Sequence, residues 1–386
     1  MLVDVLFVFN KLENILINFR LFFLILLIVS CIFVYSKEFF NETYFIIIVL
    51  LSYLLFKLLS SSELNLSFTR YLKFFFPLIL LPFSIIFSKT GLVNFKEFIY
   101  SIRFAAFIFF MNFPLSTYFG WQTLDYTYTT TFISGNLVAS ALYTGSVIAV
   151  FIFAVLILPS SLINSLGVKK YYFFDLALFF GVIVVLILSL RRTAILTPFL
   201  CILFLIFRSI DVRKIFLYSA LFLFFFIFFI YYFSDVFLQR LETRIDRFSV
   251  ESLESEGRYI ETILVWSANL SFEEPSSSFF GKELFNSSGN YGFRNDRVLH
   301  VDINQILHGS GLFGLFLYFL FFLKLFTKIL QKKSNRWIKP LSLSVFFIIV
   351  INSFSSGLLA LTYRFVAFYI LGYLIGYQKY TNEDYH

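Results

Sequence analysis

The sequence predicts an all-α fold: a polytopic bundle of transmembrane helices with one large, partly helical loop outside the bilayer. Three observations predict it. Of 386 residues, 59% are hydrophobic and only 14% are charged, and the mean hydropathy of +0.85 is too high for a soluble domain of this size. The apolar residues form about eleven stretches (roughly 10–12), each near the ~20 residues that cross a bilayer. The basic residues gather in short connections between those stretches, as they do on the cytoplasmic side of a membrane.

Residues 1–19 alternate apolar clusters with Lys11 and Glu13, and Arg20 follows, which fits an interfacial helix or part of a further crossing. Spans are expected near 18–36, 43–59, 72–88, 97–117, 137–158, 171–190, 193–209 and 215–234, an N-terminal bundle of about eight over residues 1–234. Three more, near 303–324, 340–356 and 359–378, make a C-terminal unit over 303–386. Ile28-Val29-Ser30-Cys31 is loosely like a lipoprotein cleavage site, but Ile-Phe-Val-Tyr follows and continues the span, so the first crossing is expected to stay. The loop 324–339 carries Lys324, Lys328, Lys332, Lys333, Arg336 and Lys339 without an acidic residue, and is read as cytoplasmic. Arg208, Arg213 and Lys214 mark a second inside loop, and Lys169 with Lys170 a third. Residues 118–136, the turn at 190–193 and the segment 235–302 then face outward, the periplasm of a bacterium with two membranes. Lys37, Lys57, Arg70, Lys73, Lys89 and Lys96 leave the side of the N-terminus open.

A net charge of +8 is accounted for by those inside loops, and no basic stripe or aromatic platform outside the spans points to nucleic acid. Cys31 and Cys201 both lie in apolar stretches, so no disulfide framework is expected, and no CxxC or mixed His/Cys cluster offers a zinc site.

The loop 235–302 holds seven basic and twelve acidic residues, more charge than any other connection. Phe237, Leu238, Leu241, Ile245 and Phe248 recur at helical period, and a second helical run follows Gly257-Arg258 with Tyr259, Ile260, Ile263, Leu264 and Trp266. The stretch PSSSFFGKELFNSSGNYGFRNDR is read as loop from its Pro, Gly, Ser and Asn content. Six of the loop's basic residues are arginine: Arg240, Arg244, Arg247, Arg258, Arg294 and Arg297. A guanidinium binds phosphate through two parallel hydrogen bonds, so arginines here fit a phosphate-bearing ligand at the outer surface, although pairing with the loop's carboxylates also accounts for them. Arg191 and Arg192 stand where two spans meet with almost no connection, and charge embedded at that level points to function. His300 and His308 are the only histidines away from the terminus, and with Asp302 they stand at the mouth of the span that opens near 303.

These pieces resemble the O-antigen polymerase and O-antigen ligase superfamily of integral membrane glycosyltransferases. Ser189, Arg192 and Ala194 match a Ser-x-Ser-Arg-x-Ala element, with Arg191 in place of its second serine. Arg258, an apolar helix and then Phe280-Gly281 match a second element. His300 stands eleven residues before Gly311, the first glycine of a Gly-x-x-Gly completed by Gly314, and Val301 replaces the asparagine that usually follows the histidine.

The resemblance implies that a sugar hydroxyl of an acceptor attacks the anomeric carbon of a donor glycan, displacing polyprenyl diphosphate with inversion. His300 is the expected base, and Arg192 and Arg258, with Arg191, Arg294 and Arg297 behind them, are expected to hold the diphosphate. With arginines in that role, neither a metal nor another cofactor is expected. His308 is expected either to support His300 or to pack against another helix, and Asp302 to cap the helix it opens. Donor and acceptor would both be polyprenyl-diphosphate-linked oligosaccharides, handled at the inner membrane beside a flippase and a chain-length regulator. Polymerase is favoured over ligase because Val301 and Arg191 depart from the ligase-like pattern. Transport of a lipid-linked oligosaccharide is the alternative of another class, for which Arg103 and Arg364 are the mid-span charges available.

Overall fold

The computed structural model describes chiefly residues 33–42, 45–118, 145–162, 172–188, 257–287, 290–291, 299–331, 338–355 and 361–383. The described residues are mostly helical and contain no strand. In chain order the helices are α1 (Ser36–Glu42), α2 (Phe45–Leu58), α3 (Leu64–Lys89), α4 (Phe95–Tyr118), α5 (Gly145–Leu162), α6 (Tyr172–Leu188), α7 (Gly257–Leu270), α8 (Pro275–Phe280), α9 (Asp302–Leu330), α10 (Ile338–Ser355) and α11 (Leu361–Glu383). Helices α3 and α9 are long and apolar enough to cross a bilayer, which points to membrane association. The spans expected at 193–209 and 215–234, the helix at 237–248 and most of the first span lie outside the described residues.

Local sequence explains several boundaries. Asn94 and Glu97 cap α4 reciprocally: Glu97 N–H donates to Asn94 Oδ1 at 2.9 Å, and Asn94 N–H donates to Glu97 Oε2 at 3.0 Å. Part of the stretch read as loop is instead the short helix α8, because Pro275 at its first position supplies a fixed helical φ and gives up no needed N–H. Helix α9 is broken at Gly311, where φ is 64° and ψ is −166°.

Helix α11 runs alongside α3, and two glycines four residues apart set how closely they pack. A Cβ on Gly372 would stand 2.5 Å from the Leu81 carbonyl oxygen, and one on Gly376 2.4 Å from that of Ile85. Ser84 donates to the Tyr369 carbonyl within this contact, and the Tyr373 hydroxyl donates to the Val93 carbonyl at 2.9 Å. Arg364 stacks its guanidinium over Phe74, 5.7 Å from the ring centre, so α3 and α11 run in the same direction. Between α4 and α6, Arg103 grips the Asp175 carboxylate with Nε and Nη2, and both groups are buried.

These contacts sort the connections by end. The α2–α3 turn at 59–63, residues 271–287 and the first residues of α9 and α11 gather at one end of the bundle. The α3–α4 turn, the later part of α11 and the starts of α4 and α6 gather at the other. Lys89, Lys96, Lys328 near the end of α9 and Lys339 at the start of α10 therefore share one end.

Candidate functional site

Residues 302–311 of α9, before and at the break, are buried on every side. Five of them are polar: Asp302, Asn304, Gln305, His308 and Ser310. A helix arm of this kind is stable only if its polar atoms find partners, and almost all do. Gln305 donates to the Leu299 carbonyl, and Ser310 Oγ to that of Ile306 at 2.6 Å. Asn304 Nδ2 donates to Thr262 Oγ1 at 2.9 Å and accepts at Oδ1 from Trp266 Nε1 at 3.2 Å.

His308 is clamped at both ring nitrogens. Nε2 lies 2.7 Å from the Asn286 carbonyl oxygen, which can only accept, so Nε2 carries the proton. Nδ1, 2.7 Å from the Tyr291 hydroxyl, then accepts from it. Burial pushes the Tyr291 phenol above its usual value, against a hydrogen bond from Asn269. Of the two roles expected for His308, packing against a neighbouring segment is the one these contacts describe.

Asp302 does not cap the helix as expected. The N-cap is Val301, with no side-chain cap bond, and the Asp302 carboxylate pairs instead with Arg364 of α11. Its other oxygen is buried without a hydrogen-bond partner. The capping task falls to Glu261 of α7, whose carboxylate is fully buried. Its Oε1 accepts from the backbone N–H of His300 at 2.8 Å and of Val301 at 3.2 Å, and from Asn304 Nδ2 at 3.3 Å. Burial pushes this carboxyl up, but the bonds from His300, Asn304 and Val301 outweigh it and leave it below the usual carboxylate range.

The same carboxylate reaches the His300 ring, with Oε2 3.3 Å from Nδ1. The His300 side chain is 47% exposed, in contrast to the buried His308, so an incoming group has access to it. Arg258 is exposed in the first turn of α7, three residues before Glu261, and so shares a helix face with it. The structure thus brings Arg258 to within a helical turn of the group that touches His300. Arg191, Arg192, Arg294 and Arg297 lie outside the described residues.

Two of the matched elements meet in space. The Phe280-Gly281 pair passes directly against α9 at Gly309–Gly311, and Lys282 N–H donates to the His308 carbonyl at 2.8 Å. The Tyr53 hydroxyl donates to the Ser310 carbonyl at 2.9 Å, and Lys57 Nζ to the Gly281 carbonyl at 3.2 Å. Glu283 fastens the segment to the α2–α3 turn, accepting from Ser61 Oγ at 2.9 Å and from Ser62 N and Oγ at 2.6 and 2.5 Å. Burial pushes the Glu283 carboxyl up, and these bonds more than offset it.

Glu261 and Asn304 are the residues that sequence reasoning missed. A signal for the first exists: Glu261, Val265 and Asn269 recur every four residues, which places a carboxylate and an amide on one face of α7. An imidazole held at Nδ1 by a buried carboxylate and open to an entering group is equipped to take a proton. Comparison of the chain with protein-family models, with curated proteins and with solved structures finds no match.

Proposed function

We propose that the protein is an integral membrane glycosyltransferase that joins polyprenyl-diphosphate-linked oligosaccharide units into a surface polysaccharide, an O-antigen-type polymerase of the bacterial inner membrane. The observation that carries this reading is the exposed His300, held by buried Glu261 at the start of a broken helix, with Arg258 one turn away on the same face of α7. In this reading about eleven spans cross the bilayer. The bundle end that bears His300 faces the periplasm in this reading, because Lys89, Lys96, Lys328 and Lys339 gather at the other end.

The acceptor hydroxyl gives its proton to His300 Nε2 while its oxygen bonds to the anomeric carbon of the donor. The bond from that carbon to the diphosphate oxygen breaks, and polyprenyl diphosphate leaves with the electron pair. Arg258, with Arg192 and Arg191 assigned from the sequence, meets the charge that develops on the leaving group. The lipid tail stays in the bilayer, which suits a site at the end of the helices. Donor and acceptor are both lipid-linked glycans, supplied by a flippase and limited by a chain-length regulator. A ligase, with lipid A core as acceptor, would use the same chemistry.

The purified protein with lipid-linked repeat units tests the proposal. Wild type should extend them, and His300→Ala should lower the initial rate by about 10²- to 10⁴-fold, the usual worth of a general base. Polymer formed at the wild-type rate by His300→Ala refutes the assignment. A second reading, transport of the lipid-linked glycan, draws on the break in α9 at Gly311, since transporters build their sites from broken helices. Translocation by reconstituted protein without extension would select it.

A further inference from the structure

We infer that Glu261 is a positioning residue for His300: it fixes the Nδ1–H tautomer of that imidazole and aims Nε2 at the acceptor hydroxyl. The inference rests on the reading of His300 as the base. The carboxylate divides its oxygens between two tasks. Oε1 is engaged by the backbone N–H groups of His300 and Val301, which ties it to the very residue whose ring it orients. Oε2 faces Nδ1 at 3.3 Å. An ionised carboxylate only accepts, so in the neutral ring Nδ1 must carry the proton and Nε2 the lone pair. Complete burial of Glu261 and the amide of Asn304 on Oε1 keep the carboxylate from turning away.

A base works through its unprotonated nitrogen, so the wrong tautomer is inactive even in the right place. When Nε2 takes the acceptor's proton the ring becomes an imidazolium, and Glu261 lies against its other N–H. The proton then passes from Nε2 to solvent as the product leaves, which restores the neutral ring. His308 is held in the opposite tautomer, because Nε2 donates to the Asn286 carbonyl and Nδ1 accepts from Tyr291. Two buried constraints thus set the two histidines differently, eight residues apart.

The chain has only three histidines, so ¹⁵N-histidine labelling and solid-state NMR in lipid can read each ring. The measurement belongs near pH 8.5, above the range where imidazoles ordinarily titrate. Wild type should show one Nδ1–H imidazole, lost in the His300→Ala spectrum, and an Nε2–H imidazole, lost in His308→Gln. Glu261→Gln keeps a carbonyl oxygen for the two backbone donors but turns an NH₂ toward the ring. His300 should then switch to the Nε2–H form, and kcat should fall about 10²- to 10⁴-fold with KM little changed. A merely structural role for Glu261 predicts no such switch.

His300 found as Nε2–H in wild type overturns the inference, a result that needs no variant to fold. Loss of activity in His300→Ala with a wild-type rate in Glu261→Gln overturns the role of Glu261 alone. Wild-type activity in His300→Ala overturns the base assignment, and the catalytic role of Glu261 falls with it.

Discussion

Alanine at Gly281 probes whether the two glycine-bearing elements are locked together. Gly281 has φ 77° and ψ 166°, a region that essentially only glycine occupies. A Cβ there would lie 2.4 Å from both the Gly309 carbonyl carbon and the Ser310 nitrogen, and 2.6 Å from the Gly309 oxygen. All three are backbone atoms of a buried helix arm, so no side chain can swing aside. The conformational cost is about 1–3 kcal/mol and the overlap adds about 1–3 kcal/mol. Their total, roughly 2–6 kcal/mol, is a large share of the ~5–15 kcal/mol that holds a native protein together. Gly91 is the control: its φ is +69°, yet a Cβ would meet nothing within 4 Å, so Gly91→Ala carries only a backbone cost of about 1–2 kcal/mol. Both variants can be unfolded in mixed micelles of rising SDS fraction, followed by the fluorescence of three tryptophans, one of which, Trp266, lies on α7 against Asn304. Gly281→Ala should unfold at a clearly lower SDS fraction than Gly91→Ala. Equal midpoints would refute the close approach of Gly281 to α9.

Arg364→Ala should destabilise by about 3–5 kcal/mol by stranding the buried Asp302 carboxylate, and Asp302→Ala combined with it should recover part of that loss. If the double variant unfolds no later than Arg364→Ala, the pairing is not what the arginine supplies. In the proposed orientation, cysteines at Ser62 and Ser277 should both react with a membrane-impermeant thiol reagent applied from the periplasmic side, and one at Thr90 should not; labelling at Thr90 alone reverses the orientation. The Glu261 carboxyl lies below its ordinary value of about 4.5 in the folded protein, so the stability it contributes is fully present above that pH. That stability is lost as the pH falls through the lower folded value, and Glu261→Gln should lack this part of the acid limb. An identical acid limb in the two proteins would contradict the shift.

The long helices of the bundle were legible because each is an apolar run bounded by charge or turn residues, and that is a local property. The side of the N-terminal half was not, for a reason visible in two side chains. Lys57 and Arg70 stand at the same end as His300, where a count of basic residues reads them as cytoplasmic markers. There they donate to the carbonyls of Gly281 and Phe285, partners more than 200 positions away in sequence. Basic residues spent as donors to a docked loop say nothing of sidedness. Lys89 and Lys96, which flank the opposite turn, keep the ordinary meaning in the proposed orientation. The break in α9 shows the same limit: the Gly-x-x-Gly can be read, but its backbone angles depend on the Phe279–Gly281 segment pressed against it.

Of the pair proposed to act together, His300 can be picked out of the sequence and Glu261 cannot, although they touch. The sequence marks α7 by Tyr259, Ile260, Ile263, Leu264 and Trp266, and a helix with one side in water would turn such residues inward. In the fold, Tyr259, Ile260 and Ile263 are exposed, while Glu261, Val265 and Asn269 are buried. The inversion follows from the partner. The arm of α9 that α7 covers carries Asn304 and His308, so the face against it must supply a carboxylate and an amide rather than methyl groups. The outward face, Tyr259, Ile260, Ile263 and Leu270, is then apolar where a soluble protein would be polar. That face suits the boundary of a bilayer. A helix whose polar side is turned inward onto α9 and whose apolar side faces out is one physical arrangement, and in the proposed reading it sets the His300–Glu261 pair at the membrane surface. There a lipid-linked glycan would present its diphosphate.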